Sequence, residues 1–160
     1  MQTIIVVLAF GVFAAISYSD IKSLRIPNFL VAAVAVLGLT RVIVVGDLGA
    51  ALYTIVVSVA VLLVAFLLFW RRLIGGGDAK LMAAAALLVG YHDLLAFLFL
   101  MSISGVLVSL AILVAHRYLP LWLGPRLTVL VPKGKLAVPY GVAIAAAGCV
   151  TLILQSSNLG

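Results

Sequence analysis

Four aspartates are the only acidic residues in this chain of 160 residues, and there is no glutamate. Two of them sit where an otherwise apolar sequence breaks. Asp20 lies in Ser19-Asp20-Ile21-Lys22-Ser23-Leu24-Arg25-Ile26-Pro27-Asn28, and Asp78 lies in Gly75-Gly76-Gly77-Asp78-Ala79-Lys80. A charged side chain at mid-bilayer costs roughly 2.5–3.5 kcal/mol on insertion scales, so an acid retained near or within a membrane is a functional candidate by default. Two carboxyls sharing one pocket suit a particular chemistry. One, ionised, takes a proton from water, while the other, protonated, hydrogen-bonds a carbonyl oxygen and later supplies a proton. Such a pair titrates jointly, so the residues alone do not say which is base and which is acid.

The membrane setting follows from composition. The chain is 67% hydrophobic and 9% charged, with a mean hydropathy of +1.43. A soluble domain of this length carries far more charge. The expectation is an all-α, polytopic membrane protein, with residues 1–160 forming one domain. A spanning helix needs about 20 apolar residues, and six spans are readable at about 2–19, 27–45, 49–69, 78–91, 94–115 and 137–155. The first has no basic segment ahead of it and is read as a retained helix rather than a signal peptide.

Orientation follows from the short loops. Lys22, Arg25, Arg71, Arg72, Lys80, Arg117, Arg126, Lys133 and Lys135 fall on one side and Arg41 alone on the other. Basic loops face the cytoplasm, so both termini are expected outside, Asp20 and Asp78 on the cytoplasmic side, and Asp47 and Asp93 in outer turns. The net charge of +6 is thereby read as membrane orientation, and no nucleic-acid partner is expected. The fourth span is too short. Its 14 or so residues reach about 21 Å at 1.5 Å per residue, against a hydrocarbon core of about 30 Å. Asp78 is therefore expected below the membrane surface, with the three preceding glycines as non-helical backbone beside a wet pocket.

Other residues carry weaker signals. Gly75, Gly76 and Gly77 would let an extended peptide lie close to Asp78. The stretch fails as a phosphate loop, because Leu81 rather than Ser or Thr follows Lys80. Lys80 either tunes the carboxylate or reaches for the interface. Pro27 can open a helix without losing a needed N–H, with Asn28 beside it. Pro139, Tyr140 and Gly141 open the last span, where small residues permit close packing and Tyr140 is either an interface residue or a pocket wall. Ser19 and Ser23 lack any nucleophile-elbow context. His92 and His116 fall on opposite sides, and the single Cys149 has no partner for a disulfide or a zinc site. No metal or cofactor is expected. The stretch from Arg117 to Leu136, with three prolines and Trp122, reads as an interfacial segment.

Taken together, Asp20 with Ile26-Pro27-Asn28, Gly75-Gly76-Gly77-Asp78-Ala79-Lys80-Leu81, and Pro139-Tyr140-Gly141-Val142-Ala143-Ile144-Ala145 resemble the type IV prepilin peptidases, polytopic aspartic proteases with a Gly-x-Gly-Asp motif. The size resembles the short form associated with Flp-type, or tight-adherence, pili. The resemblance implies Asp20 and Asp78 as catalytic residues, no cofactor, and a place in the bacterial inner membrane. It implies removal of the basic cytoplasmic leader from prepilins or pseudopilins, with pilus or secretion machinery as further partners. Larger members carry an N-terminal Cys-x-x-Cys segment and N-methylate the product. These residues hold no such segment, and methylation is not expected. Two other readings fit the same acids: a small proton-coupled transporter, and a non-enzymatic subunit of a pilus or secretion platform. The first does not account for both acids lying at one face, and the second would tolerate their loss.

Overall fold

Six helices alternate in direction through a computed structural model that describes residues 1–123 and 139–157. They are α1 (Gln2–Ser23), α2 (Asn28–Val45), α3 (Leu48–Trp70), α4 (Gly76–Val89), α5 (Leu94–Leu123) and α6 (Tyr140–Ser157). Five segments are long and apolar enough to cross a membrane: α1, α2, α3, α6, and Leu94–Val114 within α5. Only α4, at 14 residues, is too short. It is also the most enclosed. Leu81, Ala85, Ala86, Leu88 and Val89 are nearly or wholly inaccessible, and α2, α3, α5 and α6 all pack on it. Large apolar side chains on α3 and α5, such as Leu62, Leu63, Leu107 and Leu110, point away from the protein. That inversion of the soluble-protein pattern is what a lipid environment permits.

Between helices in lipid, close packing and hydrogen bonds replace the hydrophobic drive. Ser58 Oγ on α3 donates to the Ala83 carbonyl of α4 at 2.8 Å, and Ser104 Oγ on α5 donates to Ala143 of α6 at 2.9 Å. At Gly38, α2 comes so near α4 that an added Cβ would lie 2.9 Å from the Leu88 backbone nitrogen.

Several element bounds differ from expectation, three of them informatively. Helix α1 continues past Asp20 to Ser23, so Asp20 belongs to the helix rather than following it. Polar residues lower hydropathy but do not stop a helix whose backbone bonds continue. Gly76 and Gly77 form the first turn of α4 and only Gly75 stands outside it, because a first turn tolerates glycine when its carbonyls already accept helical bonds. Helix α5 runs to Leu123, through the start of the stretch expected to lie at the interface. Residues 124–136 of that stretch lie outside the described residues.

Two turns carry the aspartates' flanks. After α1, Leu24 takes a left-handed conformation (φ 51°) and its N–H bonds the Asp20 carbonyl. Ser19 Oγ donates to the Arg25 carbonyl at 3.1 Å and Ser23 Oγ to the Ser19 carbonyl at 2.8 Å. The serines thus brace the turn that delivers Ile26 and Pro27. After α3, Arg72 is left-handed (φ 59°). Its N–H reaches Phe69 and the Leu73 N–H reaches Leu68, the paired bonds of a Schellman stop.

Candidate functional site

Asp20 sits near the end of α1 and is 4% exposed. Its carboxylate meets the start of α6: the Val142 N–H donates to Asp20 Oδ2 at 3.3 Å, and the Gly141 backbone N–H faces the same group. The first N–H groups of a helix have no partner within it. A carboxylate from a neighbouring helix satisfies them, and the positive end of the helix favours it. Asp78 stands in the first turn of α4, three residues after Gly75, the residue that caps this helix. From there its side chain reaches back over the Gly75 backbone, the acid half of a capping box. Each carboxyl therefore lies at a helix N-terminus, one at its own and one at another's.

The end of α1 with its following turn and the start of α4 open on one cavity of about 390 Å³, with Asp20, Leu24, Arg25 and Ile26 on one wall and Gly75, Gly76, Gly77 and Asp78 on the other. The approach at the glycines is close. A Cβ on Gly141 would lie 2.7 Å from Asp20 Oδ2 and 2.9 Å from Ile26 Cδ1, and one on Gly75 would lie 2.8 Å from Asp78 Oδ2. Backbone at membrane depth that lines a cavity is the tolerated arrangement.

The other candidates divide. Gly75, Gly76, Gly77 and Gly141 touch the aspartates or their cavity. Pro27 caps the start of α2. Asn28 and Lys80 are exposed and pair with each other, Lys80 Nζ lying 3.4 Å from Asn28 Oδ1. Neither lines the aspartate cavity. Pro139 is half-buried just ahead of α6. Tyr140, 44% exposed, lines a groove between α5 and α6 with Gly105 and Ser109 rather than the cavity. Asp47 caps α3, accepting from the Gly49 and Ala50 N–H groups at 2.8 and 3.2 Å. Asp93 lies at the opposite end of the bundle beside Gln155.

Two features have no chemical signature in the sequence. Ile26 is one apolar residue among many, yet its side chain fills the gap between the starts of α4 and α6. Arg41 reads as the lone basic residue of its side, yet it donates to the last carbonyls of α4. A single arginine inside an apolar run is the one hint that could have marked it.

The arrangement offers two carboxyls on one cavity and glycine backbone beside them at one end of a helical bundle. That set can activate water against a peptide lying along the glycines. No curated protein and no solved structure matches the chain. The profile of the type IV leader peptidase family matches residues 7–110, a stretch that takes in most of α1, all of α2 to α4 and the first half of α5. With both aspartates and more than half of its length inside that match, the chain belongs to the type IV leader peptidase family.

Proposed function

We propose that this chain is an aspartic endopeptidase of the cytoplasmic membrane that removes the short basic leader from Flp-like prepilins or pseudopilins, with Asp20 and Asp78 as its catalytic pair. The observation that carries the reading is that both carboxyls open on one cavity at one end of the bundle. A proton relay across the membrane would distribute its acids along the path. The family match supplies the leader-peptidase class.

In the proposed reaction the ionised carboxylate takes a proton from water, and the oxygen attacks the scissile carbonyl. The protonated partner hydrogen-bonds the carbonyl oxygen and then passes its proton to the departing amine. One proton is shared and returned, so the pair is restored after each turnover. Gly75, Gly76 and Gly77 offer a side-chain-free wall for the substrate's extended segment. The end that carries Asp20 and Asp78 also carries Lys22, Arg25, Arg71, Arg72 and Lys80, and this basic bias supports a cytoplasmic placement with both termini outside.

The test is reconstitution. The purified chain in liposomes, given a prepilin with a basic leader, is expected to release the leader and to continue doing so in EDTA. Intact substrate, or activity lost in EDTA and restored by zinc, would contradict the proposal.

A further inference from the structure

Helix α4 poses a problem that the aspartate cavity solves at only one end. Its 14 residues span about 21 Å, short of a hydrocarbon core of about 30 Å. The last carbonyls of a helix have no partner within it, and in lipid each such group is costly. Here they are taken by side chains of two other helices. Arg41 of α2 donates to the Leu88 carbonyl and, at 3.1 Å, to that of Val89. Gln155 of α6 donates to the Val89 carbonyl at 2.8 Å and to Asp93. The Arg41 cation also suits the negative end of the helix, and Asp93 lies close enough to balance it. These groups surround a cavity of about 110 Å³ at the end of α4 remote from Asp78.

A helix shorter than the membrane does not reach both interfaces, so packing and side-chain bonds must fix its height. Without these donors the unmet carbonyls of its last turn favour a shift of the helix outward to water, and that shift carries Asp78 away from Asp20. We propose that Arg41 and Gln155 are positioning residues for the reaction: by binding the end of α4 they fix its height in the bilayer and hold Asp78 level with Asp20. This rests on the reading of Asp78 as a catalytic residue, and the experiment separates the two.

The structure supplies a gauge of that height. A Cβ on Gly77 would lie 3.3 Å from Ile26 Cβ, near the separation of about 3.5–4.5 Å found in disulfides. A Cβ on Gly105 would lie 4.0 Å from that of Ala143, between α5 and α6, and serves as a control that does not involve α4. In a Cys149→Ala background, the Ile26→Cys/Gly77→Cys pair and the Gly105→Cys/Ala143→Cys pair are oxidised in membranes and their cross-linking rates compared. Arg41→Met is expected to slow the first pair about tenfold, Gln155→Leu to slow it less, and neither to slow the control. Arg41→Lys, which keeps a cationic donor, is expected to stay within about threefold of the parent. In chains with the native residues at 26 and 77, the same order is expected in kcat for leader removal, with KM little changed. Should Arg41→Met fail to accumulate, Gln155→Leu decides. An unchanged rate for the first pair, or equal slowing of both pairs, would overturn the proposal. Selective slowing in a protein whose Asp78→Asn variant still cleaves would support the height control and count against the catalytic pair alone.

Discussion

Gly141 offers only its backbone N–H to Asp20, and the contact between α1 and α6 depends on its lacking a side chain. An added methyl would press on Asp20 Oδ2 and on Ile26 at once. Gly141→Ala is therefore expected to insert normally and lose leader removal by about a hundredfold, since a shift of about 1 Å in a reacting group is enough for that. Cleavage by the variant at the parental rate would show that the Asp20 geometry is not critical. Proton sharing gives a second expectation at this scale. With both carboxyls protonated there is no base, and with both ionised there is no acid and the charges repel. Activity should be lost as pH falls through the lower of the pair's two values and as it rises through the upper, giving a bell. A pH–rate profile in detergent measures it, and a plateau at either limit would contradict a two-carboxyl mechanism. The sequence made the two acids visible because charge is costly in lipid. It could not reveal which backbone N–H groups meet Asp20, because that contact joins residues 20 and 142.

At the scale of the helix, α4 is a short alanine-rich rod whose neighbours make room for it. Gly38→Val would drive a branched side chain into the Leu88 backbone, and overpacking of this kind costs about 1–3 kcal/mol. Ser58→Ala removes one hydroxyl-to-carbonyl bond and should cost about 0.6 kcal/mol, the average for such bonds in membranes. Unfolding from mild detergent into SDS orders the two, and a Ser58→Ala variant less stable than Gly38→Val would contradict this account of the packing. The six helices were legible because apolar runs separated by Pro, Gly and basic clusters leave few alternatives. Their ends were less so. Asp20, Lys22 and Ser23 read as a loop by polarity, but they continue α1 because the helix ends where Leu24 turns left-handed, not where hydropathy falls. Gly76 and Gly77 likewise read as a break and form the first turn of α4.

Across the whole molecule, the described basic residues divide between the two ends as their order in the chain predicts: Lys22, Arg25, Arg71, Arg72 and Lys80 with the aspartates, Arg41 with Asp93. This division was legible from loop counting alone. The second role of Arg41, closing α4, was not, since it needs α2 and α4 to run side by side. With Cys149→Ala as background, Arg71→Cys should be labelled by a membrane-impermeant thiol reagent only from the cytoplasm, and Asp47→Cys only from outside. Both positions are exposed, so labelling reports the side of the membrane; the reverse pattern would place the cavity away from a cytoplasmic leader. The most direct measurement is leader removal by the reconstituted chain carrying Asp20→Asn, Asp78→Asn, or Asp47→Asn. Asparagine keeps the size of each side chain and can neither hold nor donate the shared proton. The account predicts that each of the first two variants inserts and folds yet loses cleavage by at least about a thousandfold, because neither carboxyl works without the other. Asp47→Asn, which retains a good helix cap, should cleave at the parental rate. Near-normal cleavage by either Asp20→Asn or Asp78→Asn would contradict the shared site.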